Sequence, residues 1–116
     1  MKRGLAGLAV VVLAACQPTG GADIRSGDGI PGLSLVPAPG GLMVAGSGGR
    51  EIGFGRDRIG ALQSMGRIEG RSPQPVDCPA PGRDAFDTTT GLRVIFEGEK
   101  FVGWTNGVGT AGRTCV

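Results

Sequence analysis

The chain has 116 residues, of which 24 are Gly, with no His, no Tyr, one Trp and four Phe. A chain of this length forms one domain, and the glycine content without a Gly-X-Y period excludes both a coiled coil and a collagen. Without His, the Ser-His-Asp and Cys-His designs of nucleophilic catalysis and the commonest zinc ligand are absent. We therefore expect no enzyme activity, no cofactor and no metal site.

The N-terminus has the pattern of a secretory signal. Lys2 and Arg3 precede an apolar run over residues 4–15, which is the order of charged and apolar segments in a signal peptide. Twelve helical residues span about 18 Å, which is too short for a bilayer core of about 30 Å. We therefore expect residues 1–15 to be a signal peptide rather than a transmembrane helix.

The end of this run, Leu13-Ala14-Ala15-Cys16, resembles the lipobox of bacterial lipoproteins. The resemblance implies cleavage after Ala15 and lipidation of Cys16 by a diacylglyceride, with acyl chains such as palmitate. Gln17, in place of Asp at the next position, implies sorting to the periplasmic face of the outer membrane. Two or three acyl chains anchor a small protein firmly, because each buried CH₂ contributes about 0.8 kcal/mol.

Removal of the signal changes the charge of the chain. Lys2 and Arg3 leave with residues 1–15, so ten basic residues remain against ten acidic ones. A neutral mature chain lacks the basic surface that nucleic-acid binding requires, and we expect no nucleic-acid partner. The expected partners are the membrane, through Cys16, and an envelope protein.

The two remaining cysteines, Cys78 and Cys115, are expected to form a disulfide, because exported proteins fold in an oxidising compartment. A redox role is the alternative, but there is no C-x-x-C motif and no activating neighbour. Closing a loop across the 37 positions between them would stabilise the fold by roughly 3–4 kcal/mol.

Composition divides the mature chain into a tether and a domain. Residues 16–31 are rich in Gly, Pro, Ser and Asp, which predicts a flexible tether after the lipidated cysteine. Apolar clustering begins at Leu33, so we expect one domain over residues 32–116. Its first strands are predicted near 33–36, 42–45 and 50–54, where apolar residues alternate or cluster between glycine-rich turns.

A short helix is predicted next, with Asp57 as its N-cap and Gly66 as its stop. Its apolar face is predicted from residues that recur at a spacing of three, namely Ile59, Leu62 and Met65. On this register Arg58 and Gln63 face water.

The second half of the domain is predicted to be loops followed by a hairpin. Residues 72–75, 78–82 and 88–91 are rich in Pro, Gly and Thr, which predicts a stiff connection, an irregular segment and a turn. Residues 92–97 and 100–105 then flank Gly98-Glu99, a two-residue hairpin loop with Gly first.

These elements predict an α+β domain, in which one short helix packs on a small antiparallel sheet stapled by the disulfide. The segment from Ile52 to Leu62 together with the hairpin from Leu92 to Trp104 resembles the small lipoprotein of the outer-membrane β-barrel assembly machinery. It also resembles the β-lactamase-inhibitor-like fold. Both resemblances imply a module that contacts proteins, and neither transfers a binding residue.

Three features of the sequence are candidates for a functional site. Residues 107–112 match G-x-G-x-x-G, but too few residues follow for a nucleotide-binding unit, so a glycine-rich turn is expected. Trp104 is either a core residue or an exposed contact for a partner. Four carboxylates offer two close pairs for acid–base chemistry, yet they lie beside Arg83 and Lys100 and are expected to be solvated or ion-paired: Asp84, Asp87, Glu97 and Glu99.

The function expected from the sequence is that of a membrane-anchored envelope lipoprotein whose domain is a non-catalytic protein-interaction or structural module. A periplasmic inhibitor that binds a hydrolase is the alternative. A small-ligand binder or an enzyme is the third, and it would need a concave site with converging polar groups.

Overall fold

The computed structural model describes residues 29–116, which form eight β-strands and one α-helix arranged in two antiparallel sheets. In chain order the elements are β1 (Ser34–Ala38), β2 (Gly41–Ala45), β3 (Glu51–Gly53), α1 (Arg58–Glu69), β4 (Gln74–Val76), β5 (Arg83–Asp87), β6 (Arg93–Glu97), β7 (Lys100–Thr105) and β8 (Thr110–Gly112). One short helix and antiparallel pairing are as predicted, but the strands divide into two sheets rather than one, and the regular structure is mostly strand.

The first sheet has three strands in the order β1-β2-β3, close to the three predicted apolar stretches. Alternation along β2 places Leu42 and Val44 on the face that enters the core, and Ile52 lies beside Leu42 on β3. The opposite face carries Val36 and Met43, which are register partners and are more exposed. The sheet is therefore half-buried, as the alternation predicts.

Helix α1 begins where predicted, since the Asp57 carboxylate accepts a hydrogen bond of 2.7 Å from the Gly60 amide. It does not stop at Gly66 but continues to Glu69. Gly70 ends it in the left-handed conformation with φ of 82°, and its amide donates to the Gly66 carbonyl at 2.8 Å. Gly66 serves a packing role instead, because a Cβ there would lie only 3.3 Å from the Cα of Ser72.

The predicted apolar face of α1 is confirmed for Met65, which is buried, and for Leu62, which packs against the core, but not for Ile59. Ala61, Met65 and Ile68 enter the core, whereas Ile59 is 64% exposed. Arg58 does not simply face water: its Nη1 donates to Oδ2 of Asp84 at 2.8 Å, and its guanidinium lies 5.3 Å from the ring centre of Phe86. The spacing of three thus predicts the helix and part of its buried face, which extends to Ile68 instead of Ile59.

The second sheet has five strands in the order β4-β5-β6-β7-β8. The predicted hairpin is confirmed as β6 and β7, with Glu97 opposite Lys100 and with Gly98 at φ of 61°, a conformation that favours glycine. Strands β4, β5 and β8 were not predicted. They lie where Pro, charged residues and Gly suggested loops.

The two faces of the second sheet are covered differently. One face enters the main core with α1 and contains Phe86, Val94, Phe96, Phe101 and Trp104. On the other face, the buried Ala85 and Ile95 are register partners. The C-terminal chain lies against this second face, because a Cβ at Gly103 would overlap the Arg113 carbonyl oxygen.

The two sheets are joined by the chain between β3 and α1. The Gly55 amide donates to the Phe101 carbonyl at 2.8 Å, and the Phe101 amide donates to the Arg56 carbonyl at 3.0 Å. The Arg58 amide then donates to the Glu99 carbonyl at 2.7 Å. Residues 55–58 therefore pair with the start of β7 and continue the first sheet onto the second.

The domain begins slightly earlier than predicted. The Ile30 amide donates to the Ile68 carbonyl at the end of α1, at 3.1 Å, so Gly29 and Ile30 pack with the domain rather than belonging to the tether. Residues 1–28, with the predicted signal peptide, Cys16 and most of the tether, lie outside the described residues. Between residues 29 and 116, no helix is both long and apolar enough for a membrane span.

Candidate functional site

An open groove of about 570 Å³ lies between α1 and the β2–β3 hairpin. Its floor is apolar and joins the main core. The floor residues come from the N-terminal segment, both strands and the helix: Ile30, Leu33, Val44, Ile52 and Ile68. An apolar, concave surface of this kind suits a side chain or a short chain segment of a ligand.

Three guanidinium groups surround this floor. Arg50 and Arg56 lie on either side of β3 in the chain, and Arg67 faces them from α1. Glu51 is the one acidic residue in the lining. We call this feature the arginine-rimmed groove: a floor of apolar residues with Arg50, Arg56 and Arg67 around it.

The charges of the rim are largely available for a ligand. Arg56 makes one long contact with Asp57, at 3.8 Å between Nε and Oδ1. Arg50 and Arg67 have no ion pair with any residue between 29 and 116. A guanidinium group stays protonated at physiological pH and binds carboxylate or phosphate oxygens. The rim is therefore suited to binding anions.

Local hydrogen bonds hold the hairpin side of the groove in place. The Ser47 hydroxyl donates to the Val44 carbonyl at 2.6 Å and accepts from the Arg50 amide at 3.0 Å. These two bonds close the turn between β2 and β3. On the other side, Ser64, Arg67 and Ile68 share one face of α1, since they are three or four residues apart.

Several other charged residues of the domain form ion pairs. Nη1 of Arg58 lies 2.8 Å from Oδ2 of Asp84, and Glu97 lies 3.6 Å from both Arg83 and Arg113. Asp84 and Glu97 each belong to one of the two close carboxylate pairs considered for acid–base chemistry. Both are thus bonded to arginines, as expected.

Asp87 forms the tightest of these pairs. Its Oδ1 accepts from Nε of Arg93 at 2.6 Å and its Oδ2 from Nη2 at 3.0 Å. This two-point hydrogen bond, helped by the charge of Arg93 and only partly opposed by burial, holds the pKa of Asp87 below its ordinary value. The pair lines a second, smaller cavity of about 330 Å³.

The remaining predicted site residues have structural positions. Cys78 and Cys115 are bonded, with their Cα atoms 5.0 Å apart, which confirms the predicted disulfide. Trp104 is only 8% exposed and its indole Nε1 donates to the Ala38 carbonyl at 2.7 Å. This burial corrects its interpretation as an exposed contact for a partner. Cys16 lies outside the described residues.

The glycine-rich motif forms a loop and a strand rather than a phosphate site. The Asn106 side-chain oxygen accepts from the Val108 amide at 3.1 Å and from the Gly109 amide at 2.9 Å. The chain then enters β8, where a dinucleotide motif needs a helix. Among residues 29–116, no group of three or more His, Cys, Asp or Glu side chains is placed to hold a metal ion.

Sequence reasoning did not find the arginine-rimmed groove. Its three arginines are separated by up to 17 positions and line one groove only in the folded chain. The available signal was the pair of arginines that brackets the predicted strand over residues 50–54.

Comparison of the chain with protein-family models, curated proteins and solved structures found no match.

Proposed function

We propose that this chain is a lipid-anchored protein of the bacterial envelope whose domain binds a partner protein, without catalysis, in the arginine-rimmed groove. The lipobox-like sequence Leu13-Ala14-Ala15-Cys16 supports the anchor. Its place would be the periplasmic face of the outer membrane, by the residue that follows Cys16.

The observation that carries the binding proposal is the convergence of Arg50, Arg56 and Arg67 over an apolar floor. Arginine is enriched at protein interfaces because it combines a charged, planar head with an apolar stem. A floor of aliphatic side chains adds the area that a partner's apolar side chain would bury. Charge then selects the partner, which must present an acidic surface.

The anchor is tested by intact-mass measurement of the protein from the bacterium that makes it. We expect a chain that begins at residue 16 and carries the added mass of the lipid. A wild-type chain that retains residues 1–15, or an unmodified Cys16, would contradict the anchor.

The binding role is tested by cross-linking in intact cells. We expect the wild-type protein to form a defined cross-linked complex, and the double variant Arg50→Glu/Arg67→Glu to lose it. Arg71→Glu is the matched control, because Arg71 is exposed, lies just after α1 and does not line the groove. A complex that persists in the double variant would contradict binding at the groove.

A further inference from the structure

The groove has a third property besides its floor and its charge, which is a free strand edge. Strand β3 is the last strand of the order β1-β2-β3, so within residues 29–116 only one of its edges pairs with another strand. Glu51 and Ile52 of β3 both line the groove. The Glu51 end of the unpaired edge therefore lies at the cavity, and Gly53 continues the edge beyond the residues that line it.

The hydrogen-bond ladder shows which backbone groups of β3 are available. The Val44 amide donates to the Arg50 carbonyl, and the Phe54 amide donates to the Gly40 carbonyl, both at 2.9 Å. In an antiparallel ladder these bonds flank the closely bonded pair of Leu42 and Ile52.

The residues on either side of Ile52 consequently direct their backbone groups away from β2. These groups are the amide and carbonyl of Glu51 and the amide of Gly53. The Gly53 carbonyl already accepts a hydrogen bond from the Arg56 amide at 3.1 Å. Two donors and one acceptor are thus left along the open edge, in the alternating order that a new strand would need.

From this edge we infer that the partner enters the groove as an extended acidic segment that adds a strand to β3. This inference rests on the proposed function and specifies its binding mode. Main-chain hydrogen bonds to Glu51 and Gly53 would hold the segment along β3, and alternate side chains of the segment would pack on the more exposed apolar residues of the groove, Ile30 and Leu33. In strand addition of this kind, the added segment forms main-chain hydrogen bonds along the edge, and its alternate side chains contact one face of the sheet.

The positions of the arginines specify where the acidic residues of the segment lie. Arg50 comes one residue before β3 and Arg56 three residues after it, so they stand at the two ends of the edge. Arg67 lines the same groove from α1. The segment that fits has an apolar centre with carboxylates on both sides, and charge-assisted hydrogen bonds to arginine would fix its register.

The probe for this inference is the synthetic peptide acetyl-Glu-Glu-Val-Thr-Val-Glu-Glu-amide, added to the full-length protein in detergent. Calorimetric titration measures the affinity, and hydrogen–deuterium exchange measures protection of the Glu51 and Gly53 amides. We expect binding with slower exchange at both amides. The double variant Arg50→Glu/Arg67→Glu should bind about tenfold or more weakly, while Arg71→Glu binds like the wild type.

Two altered peptides separate charge from strand pairing. Replacing all four Glu by Lys should abolish binding, because the guanidinium groups then repel the ligand. Methylating the backbone nitrogens on one edge should also abolish it, because the peptide can no longer donate to β3 from that edge; both edges are methylated in turn. Equal binding of the Lys peptide, or of both methylated peptides, overturns the inference.

The result is separable from that of the cross-linking experiment. If cross-linking is lost in the double variant but the acidic peptide does not bind, the strand-addition inference falls and the proposed function stands. If the peptide binds but the cross-linked complex persists in the double variant, the proposed use of the groove in the cell falls.

Discussion

The indole Nε1 of Trp104, on β7, donates a 2.7 Å hydrogen bond to the carbonyl oxygen of Ala38, at the end of β1. The two residues are 66 positions apart and belong to different sheets. A buried indole needs a partner for its N–H group, and here the partner lies on the other sheet. Trp104 thus contributes both its buried ring and a directional link between the sheets.

We expect Trp104→Ala to lower the free energy of unfolding by about 3–5 kcal/mol, since it empties a large buried volume. Trp104→Phe keeps most of the ring but removes the donor, and should cost about 1–2 kcal/mol. Chemical denaturation of both variants measures the difference. Unchanged stability of Trp104→Ala, together with loss of the cross-linked complex, would instead restore the interpretation of Trp104 as a partner contact.

The covering of the second face predicts a sharp difference between two glycines. Gly103→Ala should destabilise the protein by about 1–3 kcal/mol or more, because the new Cβ overlaps the Arg113 carbonyl oxygen. Gly40→Ala is the matched control, since a Cβ there meets no atom within 4 Å. Similar melting temperatures for the two variants would show that the C-terminal chain does not lie against β7.

The disulfide should make a large contribution to stability. Replacing both cysteines, as Cys78→Ser/Cys115→Ser, is expected to lower the free energy of unfolding by roughly 3–4 kcal/mol, because the unfolded chain regains the freedom of a 37-residue loop. Thiol titration of the unreduced wild-type protein should find no free thiol. Detection of two reactive thiols would contradict the pairing.

The pair of Asp87 and Arg93 predicts part of the acid sensitivity. The pKa of Asp87 is lower in the folded protein than its ordinary value of 3.8, so the unfolded chain binds a proton more readily. The pair stabilises the fold above that ordinary value, and this stability is lost as the pH falls through the lowered one.

Asp87→Asn should therefore destabilise the protein at neutral pH by about 0.5–1 kcal/mol, since the pair is partly exposed. The difference from the wild type should shrink as the pH falls below about 4. Unfolding by denaturant across this range gives the measurement, with Asp77→Asn as the control for loss of an exposed carboxylate. A difference that stays constant down to about pH 2 would contradict the role of the pair.

The elements that could be predicted from the sequence are those that carry their own pattern. Strands β1, β2 and β3 and the β6–β7 hairpin have apolar clusters or alternation between turn residues, and Asp57 caps α1 as its position predicts. These signals are local, so one sequence is sufficient to recognise them.

The strands that were missed depend on their neighbours. Strand β5 contains three charged residues in five, Arg83, Asp84 and Asp87, and each of them is paired with a residue of another element. Strand β4 contains Pro75 and lies at the edge of the sheet, where a missing amide donor is tolerated. Strand propensity reflects such pairing more than intrinsic preference, so these strands could not be read from composition.

The site could not be predicted for the same reason. Arg50, Arg56 and Arg67 come from the two flanks of β3 and from α1, and only the folded chain brings them to one groove.

Residues 55–58, which continue the first sheet onto β7, have a consequence for how the domain unfolds. Neither sheet can separate without breaking the hydrogen bonds of this shared stretch and the bond from Trp104. Heating should accordingly melt the domain in one step, with the calorimetric enthalpy equal to the van't Hoff enthalpy. Although the domain contains two sheets, it would have no unfolding intermediate in which one sheet remains folded without the other.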